Sequence, residues 1–134
     1  QQVLLNSDVV IFQHPFFWYS CPALMKEWLD EVLEIGWAYG QGGTKLKDRF
    51  WMQIITTGGA ADAYQRSGSN HFNMIELLRP FERTAKLCGM KLLKPFIVHS
   101  ARNLSDESQG MVVGEYHNLL RGIVDGRLPE EYSS

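Results

Sequence analysis

Apolar runs alternate with segments of helical periodicity along this chain. The run at 9–13 is apolar at consecutive positions, which predicts a strand buried on both faces. Two further apolar runs, at 49–57 and 92–99, predict a second and a third strand. Pro95 lies inside the third run and indicates a sheet edge or a bulge, because proline cannot donate to the ladder.

Three helices are predicted between and after these strands. In the first, Pro22 suits the first turn, Leu24, Trp28 and Val32 recur every four residues on the face turned to the sheet, and Gly36 ends the helix. The other two helices are predicted from caps and apolar stripes, with these residues: Pro80, Phe81, Ala85, Cys88 and Gly89 in one, and Ser105, Asp106, Glu107, Tyr116, Leu119, Leu120, Ile123 and Gly126 in the other.

This alternation predicts an α/β fold, an open parallel sheet with helices on both faces. The 134 residues suffice for one domain. A doubly wound domain needs an earlier strand–helix unit of about 30 residues, so we expect the N-terminal unit to be missing from this chain, which begins at Gln1 without a methionine. The tail at 127–134 is expected to be loose.

Charge and cysteine content narrow the function classes. The chain has 13 Lys and Arg residues and 15 Asp and Glu residues, which gives a net charge of -2. The basic residues form no stripe that could bind nucleic acid or anionic lipid. Cys21 and Cys88 have no paired spacing, which favours a reducing compartment. No apolar run approaches the roughly 20 residues of a membrane span. We therefore expect a soluble, cytoplasmic protein with no metal site, because no Cys, His and acidic residues have ligand spacing.

Two short loops follow the first two strands, at the sheet edge where α/β proteins bind ligands. One loop is aromatic and covers 16–19. The other, at 56–59, ends in Gly58 and Gly59, whose backbone N–H groups can approach a ligand without a side chain in the way. Together they suit a flat ring with polar edges, such as a flavin. Taken singly, an ordinary turn and aromatic core packing remain alternatives.

The loop at 60–73 is longer than most connections and holds two candidate hydrogen-bond donors. Tyr64 and His71 could donate to the side of a flavin where negative charge develops on reduction. A surface tyrosine and a solvated histidine are the alternatives. The remaining histidines, His14, His99 and His117, are expected to be structural or exposed.

Four segments in this order resemble a known family, the flavodoxin-like NAD(P)H:quinone oxidoreductases, and within it the ancillary proteins of glutathione-gated potassium-efflux (Kef) systems. The segments lie at 13–20 (QHPFFWYS), 22–30 (PALMKEWLD), 37–40 (WAYG) and 56–59 (TTGG). SCPAL at 20–24 and LRPFE at 78–82 are similar to the Kef type in particular. The likeness runs from about Asp8 to the last helix.

The resemblance implies one flavodoxin-like domain over 1–134, with this chain supplying strands 3 to 5 of a sheet in the order 2-1-3-4-5. It implies FMN, or alternatively FAD, held by Phe16, Phe17, Trp18, Tyr19, Thr56, Thr57, Gly58 and Gly59. Tyr64 matches the family's catalytic tyrosine, and His71 matches its histidine with one extra residue between them. Tyr39, with Trp37 beside it, matches a substrate-pocket loop whose tyrosine crosses a dimer interface.

The implied activity is transfer of hydride from NAD(P)H through the flavin to a quinone or similar acceptor. The implied partners are a second copy of the chain and a potassium-efflux transporter, at the inner face of the cell membrane. The alternative is a non-catalytic regulatory module of such a transporter that keeps the fold. The family's flavin-phosphate loop would lie upstream of Gln1, so we expect this chain to lack the anion site that a flavin phosphate needs and to hold flavin weakly or not at all.

Overall fold

A parallel sheet runs through the protein, whose computed structural model describes residues 1–132. Strand β1 (Val9–Pro15) pairs with β2 (Phe50–Thr56) in register from Val9 opposite Phe50 to Pro15 opposite Thr56. Two short strands, β3 (Lys91–Leu92) and β4 (Phe96–Val98), both pair in parallel with the other edge of β2. The strand at 92–99 is therefore interrupted around Pro95, as that residue predicts.

Five helices accompany the strands among residues 1–132: α1 (Gln2–Leu5), α2 (Ala23–Val32), α3 (Met74–Leu77), α4 (Arg79–Leu87) and α5 (Asp106–Val124). Two 3-10 turns lie at Phe17–Tyr19 and Ala61–Tyr64. Helix α3 is not among the predicted helices; the side chains of Asn73 and Glu76 cap it in a reciprocal capping box.

Strand β2 is the centre of the core, because both of its faces are covered. Trp51 and Ile55 lie in one apolar cluster with Leu29 of α2 and Phe81 of α4. Met52 and Ile54 point the other way and pack in a second cluster, with α5 supplying Tyr116, Leu119, Leu120 and Ile123. The predicted α/β architecture with helices on both faces is confirmed.

Strand β1 is less buried than its apolar run predicts. Val9, Val10, Ile11 and Phe12 are only half-buried, and β1 pairs only with β2 among residues 1–132. An open groove of about 490 Å³ lies along β1 and α2. The prediction of burial on both faces is wrong here, because burial of a strand depends on what covers it and not on its own side chains.

The first predicted helix, observed as α2, also differs in detail. It ends at Val32, earlier than the predicted end at Gly36. Leu33 is its C-cap residue, and the Leu33 N–H donates to Leu29 O. Leu29 is buried, but Leu24 is 76% exposed and faces the open groove. The stripe prediction is therefore wrong at Leu24.

Residues 127–132 are not loose, contrary to the prediction. Glu131 forms an antiparallel bridge with Leu93, and the Tyr132 N–H donates to Leu92 O at 3.0 Å. The Tyr132 side chain packs against the first core cluster. This segment covers the outer edge of the sheet, which would otherwise present unpaired backbone groups. Ser133 and Ser134 lie outside the described residues.

Candidate active site

The loops after β1, β2 and β4 meet at the carboxyl end of the sheet. The Phe16 N–H donates to Thr56 O at 2.8 Å, which extends the β1–β2 ladder past the strand ends. The Thr57 N–H donates to Val98 O at 2.9 Å, and the Ala101 N–H returns to Thr57 O at 3.0 Å. The aromatic loop and the glycine loop therefore lie side by side, as the strand order requires.

A cavity of about 430 Å³ opens between these loops; we call it the strand-end cavity. It is lined by Pro15, Phe16, Phe17, Thr56, Thr57, Gly58, Ala101, Arg102 and Asn103. Its volume falls within the roughly 300–1,000 Å³ range of small-molecule sites. The sequence analysis missed Ala101, Arg102 and Asn103. Their position just past the third strand was the signal that could have found them.

The two glycines of this edge differ in what surrounds them. A Cβ atom at Gly58 would meet nothing within 4 Å, so this backbone is open to a ligand in the cavity. A Cβ atom at Gly59 would lie 3.2 Å from Cε2 and 3.3 Å from Oη of Tyr64. Gly58 thus leaves room in the cavity, whereas Gly59 makes room for the Tyr64 ring.

The aromatic loop presents its side chains outward. Phe17, Trp18 and Tyr19 are 50%, 94% and 55% exposed. Trp18 and Tyr19 adopt positive φ angles of 51° and 60°, a conformation that side chains adopt at a cost and that clusters at functional sites. Phe16 and Phe17 line the strand-end cavity, and Trp18 follows them without lining it.

Tyr64 does not line the strand-end cavity itself and lies beside it, in ring contact with Phe16 and His99. Its ring centroid lies 6.2 Å from that of Phe16 and 5.2 Å from that of His99, with the Tyr64 and His99 planes 30° apart. The Nδ1 atom of His99 lies 2.9 Å from Oγ1 of buried Thr57. Burial lowers the pKa of His99 below its ordinary value of 6.5. The sequence predicts a structural or exposed His99, and the structure places it beside the strand-end cavity, in contact with Thr57 and Tyr64.

His71 is placed apart from Tyr64. It is exposed, with a positive φ of 59°, and no hydrogen bond or ring contact joins it to Tyr64 within residues 1–132. Its loop is tied to the aromatic loop one residue away, since the Tyr19 hydroxyl donates to Asn70 Oδ1 at 3.1 Å. His71 therefore lies next to a residue that contacts the aromatic loop, and its own side chain is exposed to solvent.

Trp37 and Tyr39 lie on another part of the surface. Both are half-buried against the first core cluster. Tyr39 lines a separate groove of about 370 Å³ with residues of α2 and α4, among them Cys21 and Cys88. Within one chain, neither residue lines the strand-end cavity. Their role in a substrate pocket therefore needs a second copy of the chain and stays a prediction.

Within residues 1–132, no group of three or more His, Cys, Asp and Glu side chains is arranged to hold a metal ion. No helix in that part of the chain combines the length and the apolar character needed to cross a membrane.

Comparison with known sequences gives a consistent family assignment. A sequence profile described as the flavodoxin-like fold matches residues 1–118. The glutathione-regulated potassium-efflux system ancillary protein KefG of Pectobacterium atrosepticum is 46% identical over 134 residues, 98% of this chain and 69% of the relative. The protein of the same name from Pectobacterium carotovorum is 50% identical over 87% of this chain and 65% of its own length. The chain thus spans about two thirds of these relatives.

Solved structures agree on the fold. An NADPH-quinone reductase from P. pentosaceus superposes with a TM-score of 0.80 at 32% identity, over 86% of this chain and 68% of the other. The general stress protein 14 of Treponema denticola, solved in complex with FMN, gives 0.75 at 37% identity, over 84% and 67%. A structure described as a thermophilic tryptophan halogenase from Streptomycin violaceusniger gives 0.84 at 38% identity, over 87% and 67%.

Proposed function

Because the chain belongs to the flavodoxin-like fold family, we propose that this protein is a flavin-dependent NAD(P)H:quinone oxidoreductase with its flavin ring in the strand-end cavity. The observation that carries the proposal is the convergence of the aromatic loop and the glycine loop on one cavity of about 430 Å³. The likeness to an NADPH-quinone reductase and to an FMN complex supports it.

The lining suits the ring portion of a flavin. Phe16 and Phe17 offer apolar ring surface, while the open backbone at Gly58 leaves space where a side chain would intrude. Thr56, Thr57 and Arg102 add polar residues to the lining of the same cavity. FMN is the proposed cofactor and FAD the alternative. We assign no phosphate site within residues 1–132.

The proposed reaction converts NAD(P)H, a proton and a quinone into NAD(P)⁺ and a hydroquinone. The chemistry supplied by a bound flavin is the two-electron transfer between them. Tyr64 holds a proton at Oη and donates a hydrogen bond to negative charge that develops beside it, which favours the reduced state. His71 is the second proposed donor. It would act from the solvent side, since its ring is exposed.

We extend the proposal to partners from the names of the relatives. The chain would serve as an ancillary subunit of a potassium-efflux transporter, on the cytoplasmic side of the cell membrane. It would act as a homodimer, with Tyr39 and Trp37 bordering the strand-end cavity of the second copy. The half-buried position of Tyr39 in a surface groove of its own chain is compatible with this arrangement.

The test begins with the purified protein titrated with FMN and followed by flavin absorbance and fluorescence. NADPH oxidation is then measured with a quinone present. Binding of FMN together with quinone-dependent NADPH oxidation is the expected result. Failure to bind both FMN and riboflavin, which has the same ring without the phosphate, would exclude the ring site if the fold is intact by circular dichroism.

The ancillary names of the relatives favour a second candidate, a regulatory module without turnover. That protein would bind the transporter and hold flavin without oxidising NADPH. The two candidates separate in one assay, because only the first consumes NADPH when flavin is bound and a quinone is supplied.

A further inference from the structure

Three side chains from three loops form a connected group beside the strand-end cavity. Thr57 directly follows β2, His99 directly follows β4, and Tyr64 ends the 3-10 turn at Ala61–Tyr64. The first two are neighbours because β2 and β4 pair in parallel, with Thr56 opposite Val98. The sheet therefore fixes where Thr57 and His99 stand before any side-chain contact is made.

The hydrogen bonds of Thr57 determine the tautomer of His99. The Thr57 hydroxyl lies 2.8 Å from Gly59 O, and this carbonyl can only accept, so the hydroxyl hydrogen points there. The same hydroxyl oxygen is 2.9 Å from His99 Nδ1 and must accept from it. Neutral His99 thus carries its hydrogen on Nδ1 and a lone pair on Nε2.

The backbone around His99 reinforces this placement. The Ser100 N–H donates to Gly59 O and the Ala101 N–H donates to Thr57 O, both at 3.0 Å. Ser100 has a positive φ of 52°, so the chain turns sharply just past the imidazole. The His99 ring is therefore held from its own backbone and from its Nδ1 atom.

Tyr64 is held by ring faces. Its ring stacks on His99 at 5.2 Å, and Gly59 provides the space that the Tyr64 ring edge and hydroxyl occupy. No hydrogen bond from the Tyr64 hydroxyl occurs within residues 1–132, so the His99 face and the more distant Phe16 ring orient the phenol. The hydroxyl stays available to a ligand.

The geometry points to His99 as the positioning residue for Tyr64: Thr57 fixes the imidazole as its Nδ1–H tautomer, and the imidazole face holds the Tyr64 phenol above Gly59. His99 thereby orients Tyr64, the proposed proton donor, and this role is distinct from the one proposed for His71. Its consequence for reduction rests on the proposed function, whereas the arrangement of the three side chains does not.

Imidazole ¹⁵N chemical shifts and ring-proton cross-peaks test the arrangement in the protein without flavin. We expect His99 to carry hydrogen on Nδ1 and to show cross-peaks with Tyr64. Thr57→Val should allow both tautomers while keeping the cross-peaks. Hydrogen on Nε2 of His99 in the unmodified protein, or absence of the Tyr64 cross-peaks, would overturn the proposal.

The effect on reduction is tested with FMN bound, using stopped-flow reduction by NADPH beside the Kd for FMN. His99→Asn keeps an N–H for Thr57 but loses the ring, so we expect reduction about tenfold slower with little change in Kd. His99→Phe keeps the stack and should recover most of the rate. His117→Asn, an exposed histidine on α5, is the matched control and should match the unmodified protein.

The outcomes separate the two proposals. A His99→Asn rate equal to that of the unmodified protein, or a His99→Phe rate as slow as that of His99→Asn, would overturn the positioning role. Absence of FMN binding or of NADPH oxidation in the unmodified protein would instead refute the proposed reductase. In that case the tautomer and the cross-peaks still decide whether His99 holds Tyr64.

Discussion

Gln53 donates a hydrogen bond from Nε2 to Nε2 of His14, 3.1 Å away, across the pair of strands β1 and β2. The other ring nitrogen, Nδ1 of His14, donates to Pro15 O at 2.9 Å. Both partners are therefore satisfied when the buried imidazole is neutral. Protonation of Nε2 would turn its N–H toward the amide donor of Gln53.

This arrangement predicts loss of stability in mild acid. Burial lowers the pKa of His14 below its ordinary 6.5, so the unfolded chain binds more protons than the folded one as pH falls through that value. The contribution is complete above pH 6.5 and is lost on acidification. Urea unfolding between pH 5 and 8 should show a shallower pH slope for His14→Gln than for the unmodified protein.

His117→Gln, which changes an exposed imidazole, is the matched control and should keep the full slope. Part of the slope should also remain in His14→Gln, because burial lowers the pKa of His99 in the same direction. Equal slopes for the unmodified protein and His14→Gln would contradict the argument.

Gly58→Val and Gly59→Val should weaken flavin binding in different ways. A Cβ atom at Gly58 meets no protein atom within 4 Å, and a valine there would fill cavity space, so FMN affinity should fall without a change in Tm of the flavin-free protein. Valine at Gly59 crowds the Tyr64 ring and should lower that Tm as well. Fluorescence titration measures the FMN affinity of each variant, and thermal melting measures its Tm. Unchanged FMN affinity in Gly58→Val would refute the placement of the flavin ring in this cavity.

Tyr64→Phe should slow flavin reduction more than it weakens flavin binding. The phenylalanine ring keeps the stack on His99 and loses only the hydroxyl, the group proposed to stabilise developing negative charge. We expect reduction by NADPH to be roughly tenfold slower or more, with Kd for FMN nearly unchanged. Equal stopped-flow rates for the two proteins would take the hydroxyl out of the mechanism.

Gly114→Ala should stabilise the protein. Gly114 lies inside α5, where a Cβ atom would meet nothing within 4 Å, so alanine removes the entropic cost of a helical glycine, about 0.5–1 kcal/mol. Gly122→Ala, in the same helix, places its Cβ 3.3 Å from Arg127 O and should gain less. Urea midpoints give both values, and a destabilised Gly114→Ala would show that the helix packs there against something else.

The parts of the fold that sequence predicted well have their determinants within a few residues. Pro80 lies in the first turn of α4 and Gly89 follows the helix end with a φ of 70°, while Ser105 accepts the hydrogen bond that caps α5. The failures depend on distant partners. The groove beside β1 and α2 leaves Leu24 exposed, and residues 127–132 are held by backbone pairing with Leu92 and Leu93.

In the candidate site, too, the features with local determinants were predicted and those that depend on distant partners were not. The glycine loop and the aromatic loop were predicted together because each directly follows a strand, and parallel strands end at one edge. His99 was missed because its contact with Thr57 spans 42 residues and leaves no local pattern. Its place immediately after the third predicted strand is a sequence signal for this edge of the sheet, although His99 is predicted to be structural or exposed.

The loops that border the strand-end cavity are bound to one another by the protein's own hydrogen bonds, from Phe16 to Thr56, from Thr57 to Val98 and from Ala101 to Thr57. The strand-end cavity is thus preorganised. A flat ligand entering it would have little backbone entropy to remove, so more of its contact energy would appear as affinity. A substitution that breaks any one of these hydrogen bonds should therefore weaken ligand binding, even where the ligand touches none of the altered atoms.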